Sequence, residues 1–313
     1  MELTLHSCLP GGHCETEMAT SDEENSMQAR PMTELVRATV ASIALALMPC
    51  GAAIADTLTL NPVADNTLIE DPAGAYSAGA SYNVYCGRTG SNGSGTLRRA
   101  LIRFDLSAIP QGSTVTAVQL RMYMSQGQAG TRPHSLYRVL ASWGEAGSFS
   151  FGGAGAPAQP GDATWVHRSW PGTPWATPGG DFAPSASATQ NIAGIAWYTW
   201  GSTPGMVADV QSWVNGPEGN FGWMVRGEEV VERSAKRFDS RQSSNPNTKP
   251  QLIVTFTPPV SNPADVNGDG AVNGLDLSVL LGAWGTSSAA ADIDGNGIVD
   301  ALDLAQLLAA WTG

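Results

Sequence analysis

From Asp56 to Phe256 apolar and polar positions alternate in short runs. Thr57-Leu-Thr-Leu60, Ser81 to Arg88 and Arg98-Arg-Ala-Leu-Ile-Arg-Phe-Asp-Leu106 carry the pattern, as do Asp65 to Glu70, Ser135 to Trp143, Phe221 to Arg226, Ser234 to Arg241 and Gln251 to Phe256. The longest such run is Val115-Thr-Ala-Val-Gln-Leu-Arg-Met-Tyr-Met124. A period of two sends alternate side chains to opposite faces, so each run predicts a strand, and the frequent Gly and Pro between runs predict turns. One stretch departs: Val207, Val210 and Val214 fall at i, i+3 and i+7, which predicts a short helix that Gly216 stops. Residues 144–196 follow neither period and read as loops. Past the Pro-rich stretch Thr257–Ala264 the pattern turns helical, with Leu277, Leu280, Leu281 and Leu304, Leu307, Leu308. The fold class expected is mainly β: an antiparallel jelly-roll-like β-sandwich, with a small all-α module at the end.

Those last two helices each follow an oxygen-rich stretch. Asp265-Val-Asn-Gly-Asp-Gly-Ala-Val-Asn-Gly-Leu-Asp276 recurs as Asp292-Ile-Asp-Gly-Asn-Gly-Ile-Val-Asp-Ala-Leu-Asp303. Ca²⁺ takes six to eight oxygens, and a twelve-residue loop supplies them from positions 1, 3, 5, 7, 9 and 12, with Gly at 6 for the turn. Those slots hold Asp265, Asn267, Asp269, the Ala271 carbonyl, Asn273 and Asp276 in the first loop. In the second they hold Asp292, Asp294, Asn296, the Ile298 carbonyl, Asp300 and Asp303. Two Ca²⁺ ions are therefore expected. The second loop carries four side-chain carboxylates and the first three, which predicts tighter binding by the second. Val272 and Val299, at position 8, are expected to pair the loops back to back. Pro258, Pro259 and Pro263 leave no room for a helix ahead of the first loop. This loop–helix pair resembles a type I dockerin, a resemblance that covers Ala264 to Gly313. It implies two calcium-loop–helix repeats related by a pseudo-twofold axis and a cohesin-like protein partner. The positions that carry cohesin specificity in that family are usually polar, with basic residues beyond. Here they read Gly274-Leu275, Ala301-Leu302 and Leu281-Gly282, so docking of the familiar kind does not carry over.

Charge follows the same division. Residues 56–262 hold 14 acidic and 14 basic residues, whereas 263–313 hold 7 Asp and no Lys or Arg. So much like charge in one small module repels itself, and its folding is expected to be coupled to calcium. No basic patch argues for nucleic acid. Residues 1–31 are polar and patternless, and are expected to be an over-extended start. Met32–Ala55, with an apolar run too short to span a bilayer and an Ala-Ile-Ala end, reads as a secretory signal peptide. A lipoprotein reading would use Cys50, but Pro49 before it fits a lipidation signal poorly. Cys86 alone lies beyond the leader, so no intrachain disulfide is available to the mature chain, and the residue is expected to pack as a small buried hydrophobe. The modules expected are 56–257 and 264–313, joined by the linker 258–263, in a protein destined for the cell exterior or surface.

A second resemblance rests on an ordered series of short motifs. Arg99-Ala-Leu-Ile-Arg-Phe-Asp-Leu-Ser-Ala-Ile-Pro110 is followed by Val115–Tyr123, Trp143-Gly-Glu, Ala163-Thr-Trp, Pro178-Gly-Gly-Asp, Val207–Pro217, Phe238-Asp-Ser-Arg and Pro250–Phe256. This series is similar to the DNRLRE domain, related to carbohydrate-binding module family 96. Gln242 departs from it, since Glu commonly follows Phe-x-Ser-Arg. The resemblance implies a secreted β-sandwich and a polysaccharide ligand, acidic for some members.

Sugar rings stack on indoles and guanidiniums pair with carboxylates. Trp165, Trp170 and Trp175 with Arg88, Arg99, Arg168 and Arg241 are therefore the candidate contacts, their alternative role being core packing. His134 and His167 read as surface or loop residues, and Glu228, Glu229 and Glu232 as a solvated turn. No Gly-x-Ser-x-Gly elbow is present. The expected function is a secreted non-catalytic carbohydrate-binding or surface-assembly protein. A glycoside hydrolase or lyase acting from the sandwich, and a purely structural surface protein, are the alternatives.

Overall fold

The computed structural model describes residues 54–313, apart from 94, 129, 260 and 261. The leader, but for its last two residues, lies outside them. The chain is mainly β. Its strands are β1 (Asp56–Leu60), β2 (Pro62–Ile69), β3 (Tyr76–Ser77), β4 (Asn83–Arg88), β5 (Leu97–Phe104), β6 (Thr114–Gly127) and β7 (Arg132–Arg138). There follow β8 (Ala156–Pro157), β9 (His167–Ser169), β10 (Thr173–Pro174), β11 (Ala188–Ile192) and β12 (Ala196–Trp200), then β13 (Trp223–Arg226), β14 (Lys236–Asp239) and β15 (Gln251–Thr257). The α-helices are α1 (Pro204–Asn215), α2 (Gly274–Gly282) and α3 (Ala301–Ala309). No helix among the described residues is long and apolar enough to cross a membrane.

Eleven strands form one antiparallel sheet that curls back over itself. The turning point is β4. Its residues 83–86 pair with β14, while Gly87 and Arg88 pair with β5. Gly87 has φ +110, and a Cβ there would stand 2.9 Å from the Ala235 backbone, so only glycine allows the strand to pass between the two wings. In one wing β6 is the spine, pairing with β15, β14 and β12. In the other, β5 lies between β2 and β13, and β7 and β11 continue outward.

The core between the wings follows the alternation, with one change of parity. Val118, Leu120, Met122 and Met124 point inward at period two. Val115 also points inward, out of step by one residue. The register of β6 against β15 shifts there, Thr255 facing Ala117 and Phe256 facing Val115. A bulge inserts one residue and moves the following side chain to the other face. From the opposite wing come Ala100, Ile102, Phe104, Leu136, Trp223 and Val225. Helix α1 closes one end of this core with Met206, Val210, Trp213 and Val214. Its N-cap Thr203 accepts a hydrogen bond from the Met206 N–H, Pro204 opens the first turn, and the Gly216 N–H closes on the Ser212 carbonyl.

The β5 wing is buried on both faces. Ala100 and Ile102 face the first core, while Leu101 faces a second, with Leu68, Met224, Trp143, Trp165 and Trp175. The loop-rich segment 141–182 is therefore a roof over the outer face of this wing. Two of its tryptophans donate to backbone carbonyls, Trp143 to Phe221 and Trp175 to Thr164, so burial leaves neither N–H unpaired. Cys86 is buried and unpaired, and burial pushes its thiol well above the ordinary range.

Candidate metal centres and a polar cleft

The two oxygen-rich loops fold alike. In the first, Asp265, Asp269 and Asp276 bring carboxylate oxygens within 4.8 Å of one another, and in the second Asp292, Asp294 and Asp303 do the same. The turn glycines Gly270 and Gly297 have φ +90 and +91, a conformation glycine adopts without strain. The first aspartate organises each loop: Asp265 accepts from the N–H groups of Gly268, Asp269 and Gly270, and Asp292 from those of Asn296 and Gly297.

The last aspartate has a second task. Asp276 is the third residue of α2 and accepts from the Asn273 N–H at 2.9 Å, while Asn273 caps the helix. Asp303 does the same for Asp300 at 2.7 Å in α3. Each helix therefore begins with a reciprocal capping box built from loop positions 9 and 12. Both carboxyls are fully buried. Burial works against their charge, but backbone N–H groups outweigh it and hold both below the usual carboxylate range: those of Asn273 and Asn267 for Asp276, and those of Asp300, Asp294 and Ile293 for Asp303. Two clustered trios of carboxylates, with an all-oxygen donor set, fit a hard cation such as Ca²⁺.

Position 9 caps the helix in both loops: Asn273 accepts from the Leu275 N–H and Asp300 from the Leu302 N–H. Each trio holds three carboxylates, and Asp300 adds a fourth beside the second. The geometry revises one expectation: Val272 and Val299 do not bond to each other. Both are buried in one core, but Val272 bonds to Thr312 behind α3, and Val299 to Gly285 and Thr286 behind α2. Each loop is thus tied to the tail of the other repeat. Asn267 and Asn296 donate to Asp269 and Asp294, beside the trios.

The helices of this module leave apolar groups outside. Leu275, Leu281 and Trp284 of the first repeat are exposed, as are their counterparts Leu302, Leu308 and Trp311. Only Leu280 and Leu307 of the helical leucines are fully buried.

The glycan contacts expected from the sequence mostly have other partners. Arg99 lies on the roofed face of β5. It stacks over Trp165 at 4.8 Å and forms a two-point ion pair with Glu229 at 2.8 and 3.1 Å. Its cross-strand neighbour Arg226 binds the same carboxylate, so Glu229 neutralises two guanidiniums that would otherwise repel. Burial raises the Glu229 carboxyl, but Arg99 and Arg226 outweigh this and hold it below the ordinary range. Glu229 is thus a clamp under cover, not part of a solvated turn. Trp165 and Trp175 are buried in the second core, which removes them as stacking surfaces. Arg88 donates to the Glu229 carbonyl, Arg168 to Ser142, and Arg241 to the Glu145 carboxylate. Trp170 is half-buried. His134 is fully buried in β7, and burial lowers its imidazole to about 4, while His167 lies beside Thr164.

The open space lies elsewhere. A cleft of about 1110 Å³ runs past Tyr76, Tyr85 and Phe151. Its wall is the glycine run 152–155. Gly153 lies flat against the Tyr85 ring, where a Cβ would meet the ring at 3.1 Å, and a Cβ on Gly155 would collide with Ile69. Arg98, buried beneath, pins that wall by donating to the Gly153 carbonyl, and burial lowers its guanidinium to about 10. Phe151 is 82% exposed and stacks edge-on against Phe149 and Tyr82. The sequence did carry a sign of this: Phe149-Ser-Phe151 stands among Gly and Ser with no apolar neighbour to bury it.

Residues 263–310 match the model of the dockerin type I domain, and residues 56–148 match that of carbohydrate-binding module family 96. No curated protein matches the chain. The second match ends before β11–β15, yet β5 needs β13 and β6 needs β15 to complete their ladders, so the remaining strands belong to the same sheet.

Proposed function

We propose that this chain is a secreted, non-catalytic carbohydrate-binding protein whose C-terminal calcium module attaches it to a partner protein. The observation that carries the reading is the pairing in one chain of a sheet region matching a carbohydrate-binding module with a terminal loop–helix pair matching a dockerin type I domain. Proteins with such modules are typically extracellular or surface-bound. The sheet region holds the glycan, and residues 264–313 hold two Ca²⁺ ions, one per carboxylate trio. The partner meets Leu275, Leu281, Leu302 and Leu308, so its complementary face is apolar, unlike the polar contacts usual for cohesins. Incubating the full-length protein with a panel of insoluble polysaccharides, and scoring both retention and released reducing sugar, tests this. Retention without release is expected. Release of oligosaccharide would replace the reading with an enzyme, and neither retention nor release would leave a structural surface protein.

A further inference from the structure

We propose that the cleft bordered by Tyr76, Tyr85 and Phe151 is the carbohydrate site, and that it takes one strand of a polysaccharide bearing few or no charges. This rests on the carbohydrate-binding reading above and assigns it a place and a ligand class.

Three observations support the location. First, the aromatic rings are available. Phe151 stands almost free, and Tyr76 is 44% exposed. An aromatic side chain held in solvent costs hydrophobic free energy, which stacking against the C–H face of a sugar would recover. Second, the surroundings are built to present them. Gly153 exists as glycine so that the loop can rest on Tyr85, and Arg98 holds that loop in place from below. Third, a cation is set at the rim. Arg233 has φ +59, an uncommon conformation for a residue with a side chain. Its stem lies against Gly90, where a Cβ would come within 2.7 Å of the Arg233 Cγ. Among the described residues its guanidinium has no hydrogen-bond partner. Glycine at position 90 makes room for the Arg233 stem, and Arg233 lines the cleft.

The ligand class follows from charge. Arg98 also lines the cleft, but it is buried and its guanidinium is engaged by the Gly153 and Leu97 carbonyls and the Thr96 hydroxyl. That leaves Arg233 and Arg237 against Glu70 and Asp71, an even balance. Arg237 is partly engaged with Ser125, while Glu70 and Asp71 each accept one backbone N–H. Carboxylates and guanidiniums in equal number suit sugar hydroxyls, which donate and accept. A polyanion would meet Glu70 and Asp71 unpaired. A volume of about 1110 Å³ exceeds what a single sugar ring fills, which suits a chain.

The test is calorimetric titration of the full-length protein, calcium present, with hexasaccharides of β-1,4-linked glucose, mannose and xylose, and with a hexasaccharide of a uronic acid. The variants are Phe151→Ala, Arg233→Gly, which keeps the left-handed backbone, and Val63→Ala, an exposed apolar position away from the cleft as a control. The expected result is binding of at least one neutral hexasaccharide and at least tenfold weaker binding by Phe151→Ala. Arg233→Gly should lose about threefold or more, and Val63→Ala should match the parent. Binding that Phe151→Ala and Arg233→Gly leave unchanged would overturn the location while leaving the carbohydrate reading intact. Tighter binding of the uronic acid chain would overturn the ligand class. Failure of every sugar, together with failure to be retained on any polysaccharide, would overturn the carbohydrate reading itself.

Discussion

The sheet region and the calcium loops solve the same problem with different means. Between the two wings, twenty-six buried apolar residues form one core, and nine more lie under the roof of residues 141–182. The terminal module buries only six: Ala264, Val272, Leu280, Ala291, Val299 and Leu307. A core that small does not offset the conformational entropy of about fifty ordered residues, and small modules of this kind depend on a metal or a disulfide. The module has no cysteine, and its charged residues are seven aspartates without a cation among them. We propose that its stability is a calcium-binding free energy, whereas that of the sheet is a burial free energy. The regions also treat charge differently: the sheet region clamps its partly buried carboxylate Glu229 with two arginines, and the module gathers its carboxylates in trios with no basic residue beside them.

The largest effect expected separates the regions outright. Asp276→Ala with Asp303→Ala removes from each loop a carboxylate and a helix cap. Calorimetric titration with Ca²⁺ should then lose both binding steps, and α2 and α3 should fail to form by circular dichroism. The single variants should each remove one step, and with four carboxylates against three the second loop, kept alone, should bind more tightly than the first. Next comes Glu229→Ala, which leaves Arg99 and Arg226 facing each other under cover. Removing one partner of a fully buried pair costs about 3–5 kcal/mol, and this partly buried one should cost less, so the sheet transition in urea should move to lower denaturant while calcium titration is unchanged.

A smaller effect concerns pH. Burial raises Asp65 to about 8, so the folded protein holds a proton there that the unfolded chain releases near 3.8. Its contribution to stability is present in acid and lost as pH rises towards 8. Asp65→Asn should therefore flatten the decline in the sheet's melting temperature between about pH 5 and 8. His134 runs the other way. Lowered to about 4, it is neutral when folded and costs stability as pH falls from about 6.5 towards 4. The smallest effect is that of Phe151→Ala on folding. Exposed as it is, its loss should change unfolding free energy by no more than about 0.5 kcal/mol.

How far residues alone revealed this arrangement depended on whether function and periodicity coincide. The loops were legible as a repeat, and the two carboxylate trios fall at positions that the spacing marked, since calcium chemistry fixes residue type and spacing together. The helix at 204–215 and the long strand at 114–127 were legible from their periods. Two strands of the main sheet were not, nor were the two- and three-residue strands β3, β8, β9 and β10. Ala188–Ile192 has only its end residues buried, and Ala196–Trp200 has no clear alternation, because only Trp200 in it is fully buried. The tryptophans at 165 and 175 left two roles open, and they take the core-packing one: a loop-rich segment normally lies on the surface, but here it roofs a strand wing buried on both faces. His134 misled, since the strand that carries it is interior to the sheet, between β13 and β11.

The division between a burial-stabilised sheet and a metal-stabilised module is tested most directly by hydrogen exchange on the full-length protein, with calcium and with excess chelator. Peptides from 264–313 should lose their protection in chelator, while those from 114–127 and 223–257 keep theirs. Equal protection of 264–313 in both conditions would contradict the account.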